Sequence, residues 1–207
     1  MLPAFTVEKT DCMFQEIDNY VSQCIHLTQE ELHIFHSLLN VREVRKKSFL
    51  LKEGEICNFE AFIVSGCVRS FFIDENGYET ILQFAVENWW VSDIASFSEQ
   101  KPSTIFIEVM DDARIITIDY QSKEELFRQV PKFERLFRLL VQRSLGNLQQ
   151  RFFASVSQPA LERYRSFLDK YPALSQRVPQ NQIARYLGIS PEFLSKIRKE
   201  MFHTKNK

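Results

Sequence analysis

The chain lacks any long apolar run: none approaches the ~18 consecutive residues of a membrane-spanning helix. The stretch from Met1 to Asp18 holds four acidic residues and no apolar core, so a signal peptide is not expected there. Cysteine is scarce. Cys12, Cys24, Cys57 and Cys67 form no Cys-x-x-Cys pair, and 207 residues can bury a core without disulfides. Reduced thiols and a cytoplasmic location are the expectation. Low-complexity tracts and fixed-period repeats are missing, which excludes a disordered chain and a solenoid. Charge of one sign is missing too. Lys and Arg number 26 against 27 Asp and Glu, a net of -1. Taken whole, that argues against a nucleic-acid partner.

The balance is a cancellation. Residues 1–131 hold 11 basic and 22 acidic residues, a net of -11, whereas residues 132–207 hold 15 and 5, a net of +10. Such asymmetry points to two parts with different partners.

Local patterns divide the chain the same way. Thr28-Gln29-Glu30-Glu31 is a capping box, and Leu32, Phe35, Leu38 and Leu39 recur behind it at helical spacing. His33 and His36 sit on that helix and read as surface or boundary residues. From about Val41 to Tyr120 the chain reads as short β-branched and aromatic strands: Ala61–Val64, Cys67–Ile73, Glu79–Val86, Thr104–Met110 and Arg114–Ile118. Lys52-Glu53-Gly54-Glu55, Ser65-Gly66 and Asp74-Glu75-Asn76-Gly77 read as the turns between them. Strands at that spacing suggest an antiparallel roll or barrel. A short helical piece from Ser122 to Phe127 stops near Pro131. Residues 132–155 then read as one helix, with Phe133, Phe137, Leu140, Val141, Leu145, Leu148 and Phe152 along one stripe. That is more apolar surface than one side of a roll needs, so we expect one edge to cover the roll and the other to meet a second copy. The plainer alternative is a helix buried on its own domain. A helix from Ala160 to Lys170 follows.

The most specific signal runs from Val178 to Lys199 and has the form of a helix-turn-helix. Ile183, Ala184 and Leu187 make the inner face of a first helix, and Gly188 ends it where positive φ is needed. Ser190 is an N-cap and Pro191 occupies the first helical position, where its missing amide costs nothing. Leu194 and Ile197 point inward, leaving Glu192, Phe193, Ser195, Lys196, Arg198 and Lys199 outward. Residues near the start of such a helix reach base edges in a major groove. Lys196 suits guanine O6/N7 and Glu192 suits cytosine N4, while Arg198 and Lys199 suit phosphate. Gln180 and Ser190 complete the candidate DNA-binding set.

A roll of short strands, a long helix and a C-terminal helix-turn-helix resemble the Crp–Fnr family of bacterial transcription regulators. The likeness covers nearly the whole chain, residues 1–27 least. It rests on Lys52-Glu53-Gly54-Glu55, on Val64-Ser65-Gly66, and on the segment from Ile183 to Ile197. It implies an α+β fold: an antiparallel, jelly-roll-like β-roll as sensor, a long dimerisation helix, and a winged-helix-like helix-turn-helix. The expected division is a cyclic-nucleotide-binding-like sensor over 1–155, including the dimer helix 132–155, and a DNA-binding domain over 156–207. The implied partners are double-stranded DNA at a two-fold symmetric operator, a second copy of the chain, and RNA polymerase; no membrane is implied. Pro191 stands where the family often has Arg, so base preference does not carry over. The stretch between Lys170 and Pro179 leaves little room for a wing.

Relatives that bind cyclic AMP carry Gly-Glu for the phosphate amide and ribose, then Arg-Ser or Arg-Thr for the phosphate. The matching segments here are Ser92-Asp93 and Ser103-Thr104. The Arg is absent, and a phosphodiester without a countercharge is costly to bury. No response to cyclic AMP is expected. Ser92, Asp93, Ser103, Thr104 and Leu148 remain the effector-pocket candidates, for another small molecule or for a space filled by Trp89, Trp90 and Phe side chains. No cofactor is assigned: the cysteine spacing does not fit an iron–sulfur cluster, and nothing points to haem.

Two other functions compete. One is a ligand-binding regulatory module acting on a protein partner through its basic tail, which would hide the outward face of the last helices. The other is a cupin-type enzyme, disfavoured because His26, His33, His36 and His203 all lie outside the strand region. A nucleophile elbow and a P-loop are also missing.

Overall fold

Two short helices precede the sheet. The computed structural model describes residues 7–205, and their side chains from 13 to 201, so the side chains of Cys12 and His203 lie outside it. Helix α1 is Val7–Ser22 and α2 is Gln29–Ser37. The capping box forms: the Glu31 amide donates to Thr28 Oγ1 at 3.2 Å, and the Thr28 amide donates to Glu31 Oε2 at 2.8 Å. His36 Nε2 lies 2.8 Å from Asp18 Oδ1 and its ring stacks on Phe14, which ties α2 to α1.

Strands β1 (Asn40–Val44), β2 (Phe49–Leu51), β3 (Glu60–Ile73), β4 (Glu79–Ala85), β5 (Trp90–Val91) and β6 (Phe106–Ile118) form one sheet. Its path is β1-β6-β3-β4, with β2 also on β6 and β5 on β3. The β1–β6, β2–β6 and β3–β5 pairs are antiparallel. Here the structure corrects the strand boundaries. Ser65-Gly66 is no turn but the middle of β3, a continuous 14-residue strand. Gly66 takes φ +101 there, and an added Cβ would lie 2.6 Å from Ala113 Cβ. Glycine can bend a strand without ending it, which composition alone does not distinguish from a turn. The segments Thr104–Met110 and Arg114–Ile118 likewise join in β6, which begins only at Phe106. Asp74-Glu75-Asn76-Gly77 does turn, closed by the Gly77 amide on Asp74 O at 2.9 Å.

Helix α3 (Ile94–Glu99) follows β5, and α4 (Tyr120–Gln129) and α5 (Lys132–Ser157) follow β6. The chain then folds as α6 (Ala160–Lys170), α7 (Leu174–Arg177), α8 (Gln180–Leu187) and α9 (Pro191–Lys205). The short space before Pro179 holds α7 and no strand, as its length foretold.

Two compact units result. The first comprises Met1–Val68 and Ala85–Gln142, the second Arg69–Phe84 and Arg143–Lys207. The first has two apolar cores. Phe14, Ile17, Phe35, Phe62, Ile118, Leu126 and Phe133 fill one, between the helices and a face of the sheet. Cys57, Ile63, Val68, Phe97, Ile107 and Ile115 fill the other. Glu60 and Lys123 pair at 2.6 Å with little exposure, and Lys123 Nζ lies 4.1 Å from the centre of the Phe137 ring. Burial pushes the Glu60 carboxyl above its usual range, and Lys123 only partly offsets this.

The second unit is built around aromatic rings. Phe84, from β4, lies 5.5 to 6.3 Å from the rings of Tyr186, Tyr171 and Phe167. The Tyr171 hydroxyl donates to Phe84 O at 3.2 Å, and desolvation holds that phenol far above its ordinary range. The end of the β3–β4 hairpin therefore belongs to the same core as α6 to α8.

Candidate nucleic-acid interface

Helix α8 ends at Gly188, which adopts φ 65 and closes the helix by donating its amide back to Arg185 O at 3.4 Å. The chain can then turn at once into α9. Ser190 caps α9: its Oγ accepts from the Phe193 amide at 3.2 Å and its carbonyl from the Leu194 amide at 3.0 Å. Ile183, Ala184 and Leu187 are buried on one helix, and Leu194 and Ile197 on the other. The inward and outward faces are those expected from the spacing. Ser190, Glu192, Phe193, Ser195, Lys196 and Lys199 are exposed and Arg198 is half-buried. Gln180 stands apart from them, half-buried in the first turn of α8.

The outer face carries both signs. Its own backbone amide and the Ser190 hydroxyl hold the Glu192 carboxyl below its usual range. Glu192 thus stays an acceptor at neutral pH, three and four residues before Ser195 and Lys196 on the same face. An exposed apolar ring, Phe193, stands beside it.

The effector candidates meet only in part. Asp93 caps α3, its Oδ1 accepting from the Ser96 amide at 3.2 Å, while its Oδ2 accepts from Ser103 Oγ at 2.7 Å. Ser103 Oγ also accepts from the Ile105 amide at 3.0 Å. Ser92 Oγ donates to Phe59 O at 2.9 Å and lies 3.5 Å from Cys57 Sγ. Thr104 is exposed, and Leu148 stands on α5 within the second unit, 60% exposed. Trp90 lies 5.6 Å from both Phe62 and Phe137 in the first core. Trp89 packs on the second.

These residues do not fit a cyclic nucleotide. The hydroxyls that would face a phosphate donate to a carboxylate and to carbonyls, and the neighbouring Lys101 Nζ lies 2.8 Å from Glu99. An arriving phosphodiester would meet the Asp93 charge. We expect a melting shift below about 1 °C with millimolar cyclic AMP. A site at 100 times its dissociation constant would give about 2.7 kcal/mol, or roughly 5–11 °C in a protein this size. A shift of that size would overturn the reading.

Cys57 and Cys67 are buried and Cys24 is half-buried, none of the three in a disulfide. Among the described residues no group of three or more His, Cys, Asp or Glu gathers.

Fold and outward face together define an architecture: a β-roll followed by a long helix and a helix-turn-helix. Comparison with known proteins specifies it. The family model for the cyclic nucleotide-binding domain matches residues 41–130. The anaerobic regulatory protein of Pasteurella multocida is 25% identical over 206 residues, covering 92% of this chain and 75% of that protein. The transcriptional activator protein anr of Pseudomonas aeruginosa is 23% identical over 185 residues, covering 84% and 75%. Among solved structures, FixK2 from Bradyrhizobium japonicum superposes with a TM-score of 0.71 at 18% identity, covering 81% of this chain and 86% of that one. A crp/fnr-family regulator from Eubacterium rectale superposes at 0.67 and 15%, covering 90% and 88%. The chain thus matches the cyclic nucleotide-binding domain over residues 41–130 and shares its fold with regulators of the Crp–Fnr family.

One constellation escaped the sequence. Arg69, Glu79, Gln182 and Arg185 converge although up to 116 residues separate them in the chain. An Arg in the middle of a strand carries no sign of a partner so far away.

Proposed function

We propose that the chain is a sequence-specific DNA-binding transcription regulator that acts as a homodimer on a two-fold symmetric operator without responding to cyclic AMP. The observation that carries this is α9: capped, set on α8 through a left-handed glycine, and exposing Glu192, Phe193, Ser195 and Lys196 on one face. We assign Lys196 to guanine O6/N7, Glu192 to cytosine N4 and Phe193 to a thymine methyl. Gln180, Ser190, Ser195, Arg198 and Lys199 hold the backbone. The basic charge of residues 132–207 supplies the non-specific attraction, and the acidic roll keeps phosphate at a distance.

In this reading 1–155 senses and dimerises, 156–207 reads DNA, RNA polymerase is a further partner, and the protein works in the cytoplasm without catalysing a reaction. Among the described residues no helix is long and apolar enough to cross a membrane. The alternative, a regulatory module acting on a protein partner, calls for a hidden outer face on the last helices, and that face is exposed.

The test is binding to duplexes from the protein's own promoter region across a salt series. Binding should weaken steeply with salt, and Lys196→Ala should cost about 1–3 kcal/mol on the best site and relax preference at one base position. No binding to any upstream duplex at low salt would end this reading.

A further inference from the structure

We propose that Arg69, Glu79, Arg151, Gln182 and Arg185 are positioning residues: they lock α8, and α9 with it, onto the β3–β4 hairpin, which sets the direction in which α9 is presented. The proposal rests on the DNA-reading role given above and deepens it.

Two groups of bonds make the lock, both within the second unit. In the first, Glu79 Oε2 on β4 accepts from Arg69 Nη1 on β3 at 2.8 Å and from Arg185 Nη1 on α8. Arg69 Nη1 also donates to Gln182 Oε1 on α8 at 2.5 Å. Arg69 is 6% exposed and its guanidinium carbon lies 4.1 Å from the centre of the Phe71 ring. One carboxylate thus bridges a strand arginine and a helix arginine. In the second, Arg151 on α5 donates to Ile81 O at 2.7 Å, to Leu82 O, and to Tyr186 O at 2.9 Å. Its guanidinium lies 4.2 Å from the centre of the Tyr186 ring. Arg151 thus joins three elements: its own helix, β4 and α8.

Packing of Phe84 among Tyr171, Tyr186 and Phe167 already supplies apolar cohesion. A guanidinium fork adds direction, since its donors fit one arrangement of acceptors. Strand β3 runs from the first unit into the second, and the lock lies on the part that belongs to the second. A reader fixed in this way fits half-sites at one separation and one rotation.

The test uses the full chain and duplexes carrying the site that the wild-type protein selects from randomised DNA. Each site is remade with its half-sites one base pair closer or farther apart. Wild-type protein should lose about 100-fold in affinity at the wrong spacing, the size of the avidity forfeited when both heads cannot engage. Arg185→Gln leaves Arg69 on Glu79, whereas Glu79→Gln takes the carboxylate from both arginines. Both should bind the best spacing more weakly yet discriminate spacing less than about fivefold, and Arg185→Lys should recover part of the discrimination. An unchanged spacing profile overturns the proposal. So does an equal loss at every spacing, which is what mere loss of stability gives.

Hydrogen exchange judges the lock without DNA. In wild-type protein the amides of 79–84 and 180–187 should open together, and in Arg185→Gln separately. Unchanged exchange overturns the lock even if the wild type binds DNA. Separated opening, with no site selected by the wild type, upholds the lock and removes the DNA reading.

Discussion

Replacing Gly66 with alanine is expected to destabilise the sensor by about 3 kcal/mol. Two costs add. The residue holds φ +101, where an L side chain is strained by at least about 1–2 kcal/mol. Its Cβ would then lie 2.6 Å from Ala113 Cβ, 2.7 Å from Ala113 Cα and 2.8 Å from Asp112 O. Most of that contact is backbone of β6, which cannot swing aside, and overpacking of this kind costs roughly 1–3 kcal/mol. The measurement is the urea midpoint of unfolding, followed by Trp89 and Trp90 fluorescence. With a slope of about 2 kcal/mol/M the midpoint should fall by about 1.5 M. A fall under about 0.3 M would mean that β3 and β6 separate at little cost. Gly54 and Gly77 are the contrast: both have positive φ, but nothing lies within 4 Å of an added Cβ, so only the strain remains.

The second large effect concerns α5. Val141, Leu145, Leu148, Phe152, Phe153 and Val156 are 46% to 69% exposed along this helix. Such a stripe is unusual on a protein that works alone, because water gains nothing from it. Under the function proposed above, a second copy laid along the same face would bury it, and the shared helix would place two readers on one operator. Leu145→Asp with Phe152→Asp should convert a dimer into a monomer, read by sedimentation at micromolar concentration. Operator affinity should fall about 100-fold or more, since one reader then binds without the avidity of two. The melting curve at high dilution should barely move, because Leu145 and Phe152 are both more than half exposed in their own chain. A variant that stays dimeric would place the interface elsewhere.

Much of this could be read from residues in order. Thr28 with Glu31, Gly188 with Ser190 and Pro191, and the Ile183 to Ile197 spacing are local signals, so the sequence carries them whole. The reading failed where the decisive contact is distant. Ser65-Gly66 looks like a turn because glycine and serine favour turns, and only the approach of Ala113 shows why glycine stands inside a strand. The effector-pocket candidates follow from position alone, and the sequence gives no hint that Ser103 donates to Asp93. The bridge from Glu79 to Arg185 spans 106 residues, and no periodicity encodes it.

The hairpin inside the aromatic core bears on how such a protein can be rearranged. Phe84, Ile81 and Leu82 come from the middle of the chain, yet they complete the surroundings of Tyr171, Tyr186 and Arg151. A reader grafted onto a foreign sensor leaves those partners behind unless the hairpin travels with it. Exchange of readers between regulators is thus constrained by a strand pair nearly a hundred residues upstream, and sensor and reader have to drift in sequence together.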